Sequence, residues 1–170
     1  SMVKHKDILV AVRSAATAED LPNASFAGQH NTLLNIKGEK ALIRAVRHAY
    51  ASLFEPRAIY YRSINKYNHM KVGIALPIQR MVQSEQSGIL FTLEPVTNNP
   101  DVCVIDAIVG LGEAIVSGSV SPDHYVVEKA TLKIIDKQIA RQAWKIIFSG
   151  GKNIHKSLTE HEKTSQKITD

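Results

Sequence analysis

The sequence predicts a mixed α+β domain, with a mixed or antiparallel sheet and two consecutive helices. Three features carry that expectation. Apolar residues recur at helical spacing through GEKALIRAVRHAYASLF, they alternate with small and polar residues through VGIALPIQRMV, and they form short runs in SGILFTLEP and VCVIDAIVG. A period of 3.6 residues buries one stripe of a helix, whereas a period of two buries one face of a strand.

Taken in order, the apolar run 8–12 predicts a short buried strand, followed by loop up to a second strand at TLLNI, residues 32–36. In the first helix Leu42, Val46, Ala49 and Leu53 form the inner stripe, widened by Ile43, Tyr50 and Phe54, while Lys40, Arg44 and Arg47 lie largely away from it. Glu55-Pro56 ends this helix, because the residue before proline avoids the helical region. Pro56 then opens the second helix, PRAIYYRSINKYN, with Tyr60, Ile64 and Tyr67 on its inner face. In the strand that follows, Val72, Ile74, Leu76 and Ile78 alternate with Gly73, Ala75, Pro77 and Gln79. Pro77 removes a ladder donor, so it implies a sheet edge or a bulge. Two further strands precede the glycine-bearing GLGEAIVSGSVSPDHY, in which Asp123 and His124 read as a turn after Pro122, and a hairpin runs through Lys129, Ala130 and Thr131. Few large apolar residues follow Phe148, so 149–170 reads as a polar linker or tail.

Composition sets limits on function. At 170 residues, a compact fold buries roughly 70% of its unfolded surface and needs neither metal nor disulfide to hold a core. The single Cys103 lies in an apolar run and reads as a buried thiol, which suits a reducing, cytoplasmic setting. No stretch approaches the roughly 20 apolar residues of a membrane helix. Ser1-Met2 reads as a cloning scar, and residues 1–7 as a partial segment ahead of the domain. The 21 basic and 16 acidic residues leave a net charge of +5, which favours anionic partners without choosing among nucleotide, nucleic acid and phosphate.

The segment AVRSAATAEDLPNASFAGQHNT, residues 11–32, runs from a strand into small and polar residues. Small residues let backbone N–H groups approach an anion, and Arg13 at the strand end can grip phosphate oxygens with two donors. The alternative is an arginine paired with Glu19 or Asp20 in a surface loop, since no Walker pattern is present. Glu113, flanked by glycine, is a catalytic or metal candidate; alternatively it caps or ties the neighbouring backbone.

VRSAATAEDLPNASFAGQHNTLLNI, RAIYYR, IQRMVQSEQSGILFT and GLGEAIVSGSVSPDHY, in this order, resemble the nucleotide-binding region of the phosphoenolpyruvate synthase (pyruvate, water dikinase) family. Its wider group includes pyruvate phosphate dikinase and rifampin phosphotransferase. The resemblance implies a partial ATP-grasp-like domain over 8–148, holding ATP between two α+β subdomains. It implies that Arg13 contacts the phosphates and takes part in catalysis, and that Ser14 to Asn23, including Thr17, is a mobile loop closing over them. Gly28 and Thr32 fall where the family lines the nucleotide cleft, and Gln79, Met81 and Val82 in the segment whose backbone reads the adenine edge. Apart from the family, Gly28 reads as a turn glycine and Met81 and Val82 as core.

The family moves the β-phosphate of ATP to a histidine on a separate domain and thence to pyruvate. Neither that histidine's surroundings nor the pyruvate domain matches any stretch here, so pyruvate and the phosphohistidine domain are expected as partners in a full-length protein only. The family's phosphate-holding lysine and its magnesium ligands are also expected outside this chain, and no residue is assigned to metal. Because phosphoryl transfer needs those cationic groups, the piece alone is expected to bind without turning over. Two alternatives stay open: the nucleotide-binding portion of a rifampin phosphotransferase-like enzyme, and a basic, non-enzymatic module that binds nucleic acid.

Overall fold

The structure, a computed structural model, describes residues 8–16, 20–21, 24–25 and 32–170, with backbone alone at 16, 20, 21, 24 and 25. The chain divides into two compact units, Ser1–Val82 and Gln83–Asp170. Both combine strands with helices, and every described strand pair is antiparallel.

The first unit opens with β1 (Leu9–Val12), β2 (Ala15–Ala16), β3 (Asp20–Leu21), β4 (Ala24–Ser25) and β5 (Leu33–Lys37). Helix α1 (Glu39–Ala51), a 3-10 turn (Ser52–Phe54) and α2 (Pro56–Ile64) follow, then β6 (Ile74–Ala75) and β7 (Ile78–Arg80). β1 lies between β5 and β7. Its register with β5 shifts between Val10 and Val12, and Asn35 in β5 takes a left-handed φ of 57° near that irregularity. Asparagine tolerates such a backbone better than most side chains. Val12, Ala45 and Ala49 form the core, with Leu33, Ile36, Leu42, Val46 and Leu76 packed around it.

Helix–proline–helix is observed, but the inner faces differ from the expected ones. Ile43, Tyr50 and Phe54 are exposed, and Ala45 joins Ala49 inside. In α2 the expected inner residues Tyr60 and Ile64 are exposed, while Ala58 and Arg62 are buried. Arg62 is tolerated there because its guanidinium donates to the carbonyl of Leu53 and its Nε to His69 Nδ1 at 3.1 Å. A charge is buried at acceptable cost only where hydrogen-bond acceptors meet it, and Arg62 has two.

The expected strand over 72–82 is broken at Leu76-Pro77 into β6 and β7. Ala15 pairs with Ala75, Ala11 with Gln79, and the Arg13 N–H donates to the Pro77 carbonyl at 3.0 Å, all in one register. Hence β1–β2 and β6–β7 form one interrupted ladder, in which Pro77 accepts where it cannot donate. The loop expected from Ser14 onward is therefore partly laddered backbone.

The second unit contains β8 (Gln86–Phe91), β9 (Val102–Val109), the short helix α3 (Glu113–Val116), β10 (Asp123–Glu128), β11 (Lys133–Gln138), β12 (Trp144–Ser149), β13 (Lys152–Ser157) and α4 (Glu160–Thr164). The four-stranded sheet runs β11-β10-β9-β8 and is centred on buried Val104, Ala107, Ile108 and Tyr125. Cys103 on β9 is half-buried rather than fully enclosed.

Residues 149–170, expected as a linker or tail, are folded. Gly150 and Gly151 both take positive φ, as a two-residue hairpin turn between twisted strands requires, and they join β12 to β13. Trp144 stacks on His155 with ring centroids 4.1 Å apart. Thr159 and Glu162 form a reciprocal capping box that starts α4. Asp123 and His124, expected in a turn, lie on β10.

Candidate functional site

Arg13 follows β1 directly and its side chain is exposed. On one side stands Pro77, bonded to its N–H. On the other, Val12 pairs with Leu33, so Thr32, also exposed, is the next residue at the same end of the sheet. Side chains alternate across a strand and cross-strand partners share a face. Because Val12 packs against α1, Arg13 and Ala11 belong to the opposite face, together with Gln79, the partner of Ala11, and Met81, which bonds to Leu9. Arg13 and Met81 stand at opposite ends of this face. Four strand residues separate them, about 13 Å.

The backbone of β7 is only partly free for a ligand. The Met81 N–H donates to the Leu9 carbonyl at 2.8 Å, and the Arg13–Pro77 bond lies four residues away in the same register. Antiparallel pairs alternate between bonded and non-bonded, so Pro77, Gln79 and Met81 turn their backbone groups toward β1. Ile78 and Arg80 turn theirs to the far side of β7, the edge of this sheet. Val82 is 67% exposed just beyond it. Ser14 is half-buried between Arg13 and β2. Thr17 and Gly28 lie outside the described residues.

Glu113 belongs to the second unit. It is exposed at the first turn of α3, and its Oε2 accepts from the Asn153 amide at 3.2 Å, which ties α3 to β13. Nearby the second unit has a cleft of about 240 Å³ lined by Gln83, Ser84, Glu85, Gly110, Leu111, Lys145, Ile147 and Phe148. Gly110 in this lining has φ +96°, and a Cβ there would meet the Ile146 carbonyl at 2.8 Å. Its own carbonyl accepts from Ser87 Oγ at 2.7 Å. The sequence reading missed this cleft, since its lining comes from three separate segments; the glycine pair in GLGEA was the one local sign of it.

Two polar arrangements in the second unit serve structure. His124 Nδ1 and Asp106 Oδ1 are 2.8 Å apart across β10 and β9, which gives this histidine a local partner. Asp123 is fully buried, accepts from the N–H groups of Ala140 and Lys167, and pairs with the equally buried Lys167 Nζ at 3.4 Å. Burial, and then the charge of Asp123, hold the Tyr125 phenol above its ordinary pKa.

Among the described residues no group of three or more His, Cys, Asp and Glu side chains is arranged to hold a metal ion. No helix among them is long and apolar enough to cross a membrane. Chemically, the first unit offers an exposed, permanently charged, planar donor beside a hydroxyl-bearing residue at a strand end, an arrangement suited to phosphate oxygens.

Comparison with known proteins agrees with that chemistry. The family described as pyruvate phosphate dikinase, AMP/ATP-binding domain, matches residues 1–170. A probable phosphoenolpyruvate synthase of Methanocaldococcus jannaschii is 52% identical over 141 residues, covering 83% of this chain and 12% of that protein. The phosphoenolpyruvate synthase of Pyrococcus furiosus is 50% identical over 142 residues, 84% of this chain and 17% of its own length. A probable phosphoenolpyruvate synthase of Archaeoglobus fulgidus is 45% identical over 165 residues, 97% of this chain and 22% of its own length. The chain thus spans between about an eighth and a fifth of these relatives. On the match along its whole length, the chain belongs to the pyruvate phosphate dikinase AMP/ATP-binding domain family.

Proposed function

We propose that this chain is the ATP-binding portion of an enzyme of the phosphoenolpyruvate synthase type, and that the nucleotide lies along the sheet face carrying Arg13, Gln79 and Met81. The observation that carries this reading is the position of Arg13: exposed, at a strand end, beside Thr32, and on one face with Gln79 and with Met81, the latter about 13 Å away. Such a face can take a phosphate chain at one end and a base at the other. With the N–H of Met81 committed to Leu9, the backbone left to meet the adenine edge is that of Arg80 and Val82. Ser14 and Thr17 would close over the phosphates, and Gly28 would line the cleft. Contact of Glu113 with ATP would rest on its exposure beside Gly112 at the start of α3.

In the full-length enzyme the reaction would phosphorylate pyruvate at the expense of ATP and water, through a phosphohistidine carrier. Magnesium, that carrier and a cytoplasmic setting belong to this reading through the family's chemistry. Isothermal titration of ATP with magnesium into the chain tests it. Losing a charge-assisted contact of roughly 1.5–3 kcal/mol should weaken binding about 10- to 100-fold in Arg13→Ala, with thermal unfolding unchanged because the side chain is exposed. Equal binding by both proteins would refute the assignment of Arg13. Steeply salt-dependent binding of RNA without adenine preference would favour the nucleic-acid alternative.

A further inference from the structure

Segment 84–87 holds the turn that leads into Glu113. Gly110 is buried just after β9, and both of its backbone groups are committed to that segment: its N–H donates to the Glu85 carbonyl at 2.7 Å, and its carbonyl accepts from Ser87 Oγ at 2.7 Å. Ser87 is half-buried on β8, and its hydroxyl carries one hydrogen, which goes to Gly110. The Ser84 hydroxyl, 2.8 Å from Ser87 Oγ, is therefore the donor in that contact. Two hydroxyls in series thus end on one main-chain carbonyl, and each bond polarises the next.

The turn has little room to take another shape. A Cβ on Gly110 would meet the Ile146 carbonyl and Lys145 Cβ, each at 2.8 Å, and the Leu111 N–H donates to that same carbonyl at 3.0 Å. A Cβ on Gly112 would lie 3.5 Å from that of Ser87. Gly112 is the N-cap of α3, Glu113 its first residue, and the next residue, Ala114, is fully buried. Ser87 therefore backs the turn at Gly112 as well as bonding to it at Gly110. A buried carbonyl deprived of its donor is costly and turns toward another, and Glu113 is only three residues further on.

We propose that Ser87 is a positioning residue: through the Gly110 carbonyl it fixes the backbone that presents Glu113 to the nucleotide. This inference rests on the reading of Glu113 as a contact of ATP.

The test uses the full chain with Ser87→Thr and Ser87→Val, two side chains of one shape that differ by the hydroxyl. In titrations of ATP with magnesium, Ser87→Thr should bind like the natural sequence and Ser87→Val roughly 2- to 10-fold more weakly, the factor of one hydrogen bond. Combined with Glu113→Gln, the threonine and valine variants should bind alike; combined with Arg13→Ala, they should differ by the full factor. A general loss of stability would act equally in both backgrounds. Amide resonances of residues 110–113 should differ between the two variants, with those of β11 unmoved. Equal affinity of Ser87→Thr and Ser87→Val, the same factor with and without the Glu113 carboxylate, or unmoved resonances at 110–113 would each overturn the proposal. Failure of the underlying reading shows differently. Glu113→Gln binding ATP as the natural sequence does would remove Glu113 from the site and the proposal with it, and no binding by the natural sequence would overturn the nucleotide reading as a whole.

Discussion

Replacing Asp123 with Asn tests how the second unit is held together. The Asp123 carboxylate is fully buried and serves two backbone donors, Ala140 N–H at 3.0 Å on Oδ1 and Lys167 N–H at 2.7 Å on Oδ2, while pairing with Lys167 Nζ at 3.4 Å. An amide of the same shape accepts at one of these positions and presents an NH2 to an N–H at the other. It also leaves the ammonium of Lys167, 1% exposed, without its countercharge. Breaking one side of a buried pair costs about 3–5 kcal/mol, a large share of the roughly 5–15 kcal/mol that hold a domain. Trp144 is the chain's single tryptophan and stacks on His155, so its fluorescence reports unfolding of this unit. With an m-value of roughly 2 kcal/mol per molar urea, the midpoint should fall by about 2 M at unchanged slope. Adding Lys167→Met, which removes the stranded charge, should recover a substantial part of the loss. A shift below about 0.5 M, or a double variant no more stable than Asp123→Asn alone, would refute the argument.

Two other outcomes follow from the same unit. Gly110→Ala should cost roughly 1–3 kcal/mol in urea unfolding, because its φ is +96° and the new Cβ would meet the Ile146 carbonyl at 2.8 Å; an undiminished midpoint would show that the backbone yields there. On α4, hydrogen bonds from Lys163 and then Arg141 lower the pKa of Glu160, and bonds from the Thr159 backbone and side chain lower that of Glu162. A depressed carboxylate stabilises the folded state above its unfolded value, about 4.3, and that stability disappears as pH falls through the lower folded value. Unfolding midpoints at pH 5 and pH 3 should therefore differ more in the natural sequence than in a Glu160→Gln, Glu162→Gln variant.

Much of the secondary structure was legible because it rests on local rules. Proline at 56 ends one helix and starts the next whatever surrounds it, and the runs that became β8 and β9 are bounded by turn residues. The inner faces of the helices were less legible. Tyr60 and Ile64 look like core by residue type, yet Arg62 takes the inside position because Leu53 and His69 supply acceptors that no spacing rule foresees. The folded state of 149–170 was missed for a related reason. Few large apolar residues lie there, and the segment is held by polar groups: the capping box at Thr159 and the buried bonds of Lys167 to Asp123. At the candidate site Arg13 was legible as a charged residue closing a strand, whereas its placement between Thr32 and Pro77 needed the pairing of β1 with β5 and β7.

By itself the sequence determined an α+β chain, its order of helices and most strands, and through four ordered motifs its family. Only the tertiary structure decided which helix faces are covered, that the polar C-terminal segment is folded, and which backbone groups of β7 are already spent on β1. The physical reason is that periodicity and turn chemistry act between residues a few positions apart. Burial and ladder parity depend on partners tens of residues away, as when Lys167 returns to close on Asp123.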